Sequence, residues 1–228
     1  MYLLLFDIDG TLIDSGEAGT RSLNLAFKEL FSVSNAFHDI RMAGKTDTQI
    51  MKEALIKHGI SVNNNLDAVI NTYLMHLQKE INNNRRHTKP GIYELLERLS
   101  LIRDVRLGLL TGNLEPGARI KLQPFKLNRY FQTGAFGSDN EDRDRLLPVA
   151  IKRFEEICRR KIDITECIVI GDTPRDVNCA KTNGAICIGV ATGPYSINEL
   201  KKAGADCVFQ DLSDHYNFLQ FLNFSEVT

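Results

Sequence analysis

Four aspartates stand where carboxylates could gather at one rim of a sheet. Asp7 and Asp9 follow the apolar run Tyr2 to Phe6, with Gly10 and Thr11 directly behind them. Asp172 follows Gly171 and another apolar run, Cys167 to Ile170, and Asp176 comes one helical turn later. A third run, Val105 to Leu110, ends in Thr111-Gly112-Asn113. Clustered carboxylates repel one another unless a cation lies among them. Oxygen donors without His or Cys select a hard cation, and Mg²⁺ fits best. Mg²⁺ is commonly held by one or two carboxylates together with a substrate phosphate. Thr111 and nearby N–H groups suit phosphate oxygens. A basic side chain should complete the cradle, because phosphoryl transfer is catalysed mainly by positioning and charge stabilisation. A single Asp after a strand is commonly a turn former or helix N-cap. Two such pairs, with Thr111 after a third run, make coincidence a poor account.

The elements that must hold these residues alternate. Tyr2 to Phe6, Val105 to Leu110, Cys167 to Ile170 and Ile186 to Val190 are short, continuously apolar and bounded by turn residues, which predicts strands buried on both faces. Cys207 to Phe209 is a further short apolar run. Helical spacing recurs at Ile92, Leu95, Leu96 and Leu99, over Leu146 to Arg159, near Asp176 to Asn183 with Gly184 as its stop, and near Ile197 to Ala203. This pattern predicts an α/β fold, a Rossmann-like parallel sheet core with helices on both faces. Ligands in such sheets bind beyond the carboxyl ends of the strands.

Between about 16 and 85 the sequence shows no strand. Leu23, Ala26, Phe27 and Leu30 are one helical stripe, Ile50, Met51, Ala54 and Leu55 a second, and Leu66 through Ile81 a third. The reading is an all-helical cap over 16–85 inserted into a catalytic core formed by 1–15 and 86–228.

The chain has 228 residues and a net charge of −1, without the basic excess usual in nucleic-acid binders. No apolar stretch approaches a membrane span, and Met1 to Phe6 lacks the basic start of a signal peptide. The cysteine number is odd at 5, and no CxxC pair occurs. A disulfide framework or zinc site is therefore not expected, and a cytoplasmic setting fits. Ala43-Gly44-Lys45-Thr46 resembles the end of a phosphate-binding Walker loop, but that motif needs Gly where Asp39 stands and a preceding strand. No GxGxxG is present. His58, His76 and His87 lack metal-ligand spacing.

With those residues in hand, the chain resembles the haloacid dehalogenase superfamily, in particular its phosphoglycolate-phosphatase-like group with a helical cap. Asp7-Ile8-Asp9-Gly10-Thr11-Leu12 matches the first motif of that family, Thr111 the second and Gly171-Asp172-Thr173-Pro174-Arg175-Asp176 the fourth. The third motif departs from the pattern: a Lys is usual, and Ser138 to Pro148 contains none. Arg143 is the preferred substitute, since it precedes the helix start, with Arg145 the alternative and Lys121 and Lys152 behind them. Arg binds phosphate bidentately, so the exchange is chemically sound.

The resemblance implies a Mg²⁺-dependent phosphomonoester hydrolase acting on a small phosphorylated metabolite. Asp7 would be the nucleophile and Asp9 the general acid–base. Thr111, Gly112, Asn113 and Arg143 would bind phosphate. Asp7, Asp9 through its carbonyl, Asp172 and Asp176 would hold the metal. Arg41, Lys45 and Thr46 are candidate cap contacts to substrate, with ordinary solvated surface as the competing reading. A phosphomutase of the same fold, or a regulatory protein retaining it, are the alternatives. The expected partners exclude nucleic acid and membrane, and the expected assembly is a monomer or homodimer.

Overall fold

The computed structural model of the chain describes residues 1–222. In chain order the strands and helices are β1 (Tyr2–Phe6), β2 (Ile13–Asp14), α1 (Ala18–Phe31), α2 (Asp47–Lys57), α3 (Val62–Glu80), β3 (His87–Thr88), α4 (Ile92–Ser100) and β4 (Val105–Thr111). There follow α5 (Glu115–Leu122), β5 (Gly134–Phe136), α6 (Leu146–Cys158), β6 (Cys167–Gly171), α7 (Pro174–Asn183), β7 (Ile186–Val190), α8 (Ile197–Ala203), β8 (Cys207–Phe209) and α9 (His215–Phe221).

Six strands form one parallel sheet in the order β5-β4-β1-β6-β7-β8. Side chains alternate across it, as a strand requires. Leu4, Phe6, Leu109 and Ile170 pack on one face with Leu95 and Leu96 of α4 and Phe218 of α9. Leu3, Leu5, Leu110 and Val169 pack on the other with Leu147 and Phe154 of α6 and Ala180 of α7. Burial of both faces explains the unbroken apolar runs. From β1 the sheet grows through β4 to β5 in one direction and from β6 to β8 in the other. The crossovers therefore diverge between β1 and β6, the place where open α/β sheets bind ligands.

The segment between β2 and β3 is helical, as its periodicity predicts. α1, α2 and α3 bury Phe27, Met51, Leu55, Val69, Tyr73 and Leu77 in a cluster of their own. Phe27 and Phe37 meet edge-on at 4.8 Å. β2 and β3 pair antiparallel, Ile13 with Thr88 and Asp14 with His87, so the chain leaves and re-enters through one short ribbon. Asn83 Nδ2 donates to the Ser15 carbonyl at 3.0 Å, tying the two crossings together.

Five elements escape the pattern reading. The ribbon strands have two residues each and β5 has three, too few to display a period. α5 contains Pro116 and Gly117, both poor helix formers away from a terminus. α9 has seven residues, with Tyr216 and Phe221 exposed, which blurs its apolar face. Among the described residues no helix is long and apolar enough to cross a membrane.

Candidate active site

Asp7 is the first residue beyond β1, and its N–H extends the ladder by donating to the Ile170 carbonyl at 2.9 Å. Asp172 is the first residue beyond β6. Because β1 and β6 are neighbours, their two carboxylates meet. Gly10, at φ +87°, turns the chain under them. A Cβ there would come within 2.3 Å of Asp172 Oδ2, and one at Gly193 within 1.6 Å. Thr11 Oγ1 donates to Asp172 Oδ1 at 3.0 Å and fixes its rotamer.

Asp176 arrives by a different device. Thr173 N-caps α7, and Asp176 closes the capping box, its Oδ2 accepting from the Thr173 N–H at 3.0 Å and hydroxyl at 2.7 Å. Its other oxygen meets the Arg143 guanidinium. The bland reading of this Asp as a helix cap and its place beside the site are both true. Carboxylate oxygens of Asp7, Asp172 and Asp176 lie within 4.8 Å of one another.

Arg143 occupies a single 3-10 turn, Arg143–Arg145, just before α6. Its side chain is buried, with Nη2 3.3 Å from Asp7 Oδ1, and it also contacts Asp176. Its Nε has no hydrogen-bond partner among the described residues. Arg145 points outward, 73% exposed, to Asp142 at 3.5 Å. Lys152 lies on the far surface, in a shallow depression with Glu155 and Glu156.

This corner is short of positive charge. Burial pushes the Asp7 carboxyl up to about 6, Arg143 opposing and Asp176 reinforcing the shift. Burial, then the charges of Asp7 and Asp176, drive Asp172 well above the carboxylate range. One guanidinium does not offset three buried carboxylates. A divalent cation with a preference for oxygen would relieve the repulsion, and the donor set, carboxylates and carbonyls without nitrogen or sulfur, fits Mg²⁺.

The opposite wall is built differently. Asp9 turns its carboxylate away from Asp172 toward α5, where Oδ2 accepts from Lys121 Nζ at 2.6 Å and Asn113 Nδ2 at 2.9 Å. Lys121 Nζ also donates to Asn113 Oδ1 at 2.6 Å, and Asn113 Nδ2 reaches Thr111 Oγ1 at 2.9 Å. Burial works to raise Asp9, but the Lys121 ammonium outweighs it and holds the carboxyl below its ordinary value. Asn113 thus points its side chain at Asp9, Lys121 and Thr111.

Gly112 lets the α2 loop close on the sheet. Its carbonyl accepts from the Asp47 N–H at 2.7 Å, and a Cβ there would lie 2.3 Å from the Lys45 carbonyl. Asp47, buried at the start of α2, accepts the Leu114 N–H at 3.0 Å. Burial lifts its carboxyl to about 6 against the pull of Lys121.

The whole arrangement opens into a cavity of about 500 Å³ between the sheet rim and α1–α3. Lys45 lines it, paired with Glu53. Two other expected cap contacts lie elsewhere. Thr46 is the N-cap of α2, accepting from the Gln49 N–H and donating to the Glu141 carbonyl, so its hydroxyl holds the helix. Arg41 is exposed and outside the cavity lining. Lys121, considered in sequence only as a distant substitute for Arg143, belongs to the wall. Asp47 and Tyr73 were not legible at all. A lysine between Ile120 and Leu122 is the one local hint, an ammonium on an inward-facing turn.

The haloacid dehalogenase-like hydrolase family model matches residues 4–190. A phosphoglycolate phosphatase of Rhodospirillum rubrum is 27% identical, the match covering 96% of this chain and 90% of that protein. A 5'-nucleotidase of Pseudomonas aeruginosa is 29% identical over 87% of this chain and 86% of its own. The crystal structure of a hydrolase from Pseudomonas syringae superposes with a TM-score of 0.74 at 25% identity, covering 97% of this chain and 99% of that one. With its motif residues assembled at the switch point of the sheet, the chain belongs to the haloacid dehalogenase-like hydrolase family, among relatives that are phosphatases.

Proposed function

We propose that this hydrolase is a Mg²⁺-dependent phosphomonoesterase for small phosphorylated metabolites, working through a phosphorylated Asp7. The observation that carries the reading is the buried trio Asp7, Asp172 and Asp176, within 4.8 Å of one another and set against a single guanidinium. Asp7, the Asp9 carbonyl and Asp172, with Asp176 behind, would hold Mg²⁺, which would supply the charge that lets an anionic carboxylate approach an anionic ester.

The chain's own groups do the rest. An Asp7 oxygen attacks phosphorus while the ester P–O bond breaks. Arg143 holds the transferring group against Asp7, with Thr111 and the N–H groups of Gly112 and Asn113 beside it. Asp9, ionised beside Lys121 in the resting site, takes up a proton before it can pass one to the departing alkoxide; it then takes one from water as hydroxide displaces Asp7 from phosphorus. Phosphate leaves and both carboxylates are restored. The cavity, about 500 Å³, suits a small metabolite. The curated relatives named for phosphoglycolate and nucleotide hydrolysis support the same class. Five free cysteines fit a reducing cytoplasm.

The test is release of inorganic phosphate from a panel of phosphate esters. Activity should need Mg²⁺ and vanish in EDTA. Asp7→Asn, which keeps shape and loses the nucleophile, should cut turnover by on the order of a thousandfold or more. A variant retaining a tenth of the rate would end the covalent mechanism.

A further inference from the structure

The cavity has a second pole that the phosphate chemistry does not use. Tyr73, from the middle of α3, is 1% exposed and lines the cavity, yet its hydroxyl has no hydrogen-bond partner among the described residues. Asp47 is buried beside it, and only one of its carboxylate oxygens is engaged, by the Leu114 N–H. Lys121 Nζ donates to Asp9 and Asn113, which leaves one of its three hydrogens. Lys121 and Tyr73 converge on the space over Gly19, and Asp47 lines the same cavity. A Cβ on Gly19 would lie 3.4 Å from Lys121 Nζ and 3.9 Å from the Tyr73 hydroxyl, so the missing side chain keeps that space open.

Resting on the phosphatase reading, we propose that Asp47, Tyr73 and Lys121 form a leaving-group subsite for a neutral, hydroxyl-bearing alcohol, the polyol or sugar part of a phosphate ester. The chemistry follows from what each group can exchange. Asp47 offers an acceptor, Lys121 a donor and Tyr73 both. A hydroxyl, which donates and accepts, satisfies all three. A carboxylate would face Asp47, and an ammonium would face Lys121. The charges of the other lysines of the lining are already shared with carboxylates: Lys45 pairs with Glu53, and Lys89 with Asp14 at 3.4 Å. Buried polar groups left unmatched cost free energy, which is how a site built for a hydroxyl rejects its wrong partners. The raised carboxyl of Asp47 agrees with a group awaiting a donor.

The experiment compares kcat/KM for glycerol 3-phosphate and ribose 5-phosphate with that for 2-phosphoglycolate, whose leaving group carries a carboxylate, using the full chain with Mg²⁺. The polyol esters should win by roughly tenfold or more. Asp47→Asn keeps an acceptor for Leu114 and removes the charge, so the ratio should shift toward 2-phosphoglycolate. Tyr73→Phe should lower kcat/KM for the polyol esters relative to 2-phosphoglycolate and stands in if the first variant is insoluble. Preference for 2-phosphoglycolate, or a ratio unmoved by both substitutions, overturns the subsite while leaving the phosphatase reading intact. Release of no phosphate from any ester, p-nitrophenyl phosphate included, overturns both.

Discussion

On the floor of the cavity one guanidinium, Arg143, faces Asp7, Asp172 and Asp176. On the wall one ammonium, Lys121, faces Asp9 and Asp47, with Asn113 bridging. Both cations are buried and both are held above their ordinary pKa: burial opposes the charge, and the neighbouring carboxylates outweigh it. Their surroundings differ. On the floor Asp7 and Asp172 remain raised after Arg143 has acted, so the site is unfinished without another cation. On the wall Lys121 pulls Asp9 down and closes a hydrogen-bonded loop with Asn113. A charge deficit prepares the floor for a metal and a phosphate. Balance at Asp9, with Asp47 still raised beside it, prepares the wall for proton transfer and for an uncharged leaving group.

Replacing each cation in turn breaks the comparison most directly. Arg143→Ala removes the guanidinium that contacts both Asp7 and Asp176, and catalysis should fall by roughly a hundredfold for every ester, the cost of a missing clamp on developing charge. Arg143→Lys should recover part of this, keeping the charge without the planar fork. Arg145→Ala, at an exposed position, should stay within about twofold. If Arg145→Ala were the crippling change, the third motif would be displaced by two residues and the buried guanidinium would be structural.

Lys121→Met should cost less, about tenfold, and unevenly. Asp9 would lose its partner, so esters with poor leaving groups should suffer more than p-nitrophenyl phosphate, whose leaving group needs little proton assistance. An equal loss across both kinds of ester would mean that Lys121 only supports the fold. The floor–wall contrast would then have no catalytic content.

The floor was largely legible in sequence and the wall was not, for a physical reason. Asp7 and Asp172 each follow an apolar run, and a parallel sheet delivers strand ends to one rim. Arg143 could be chosen over Arg145 because a residue just before a helix can turn inward, and Arg143 is the buried one of the two. Lys121 reaches Asp9 across 112 residues from a short helix whose first turn holds Pro116 and Gly117, and no local pattern encodes that distance. Asp47 and Tyr73 come from α2 and α3, whose seating on the sheet depends on tertiary packing. Thr46 shows the converse error. Its position beside Lys45 suggested a substrate contact, whereas its hydroxyl caps α2.

The smallest effect concerns the two aspartates that share Lys121, and it is a matter of sign. Asp47 is raised to about 6 in the folded protein, above its ordinary 3.8. Between those values the folded chain binds more protons than the unfolded one, so Asp47 costs stability progressively as pH rises through that window. Asp9 is lowered, so it contributes stability above its unfolded value, and that contribution is lost as pH falls through its folded value. Asp47→Asn should therefore melt a few degrees above the wild type at pH 7, an advantage that fades by about pH 4. Asp9→Asn should melt below the wild type at pH 7, with a deficit that shrinks as the medium turns acid. Melting curves across this range, recorded without divalent metal, give both differences. Two variants with slopes of the same sign would mean that Lys121 does not divide its charge as the geometry indicates. Opposite slopes would locate the boundary between the balanced part of the wall, at Asp9, and the part still lacking a donor, at Asp47.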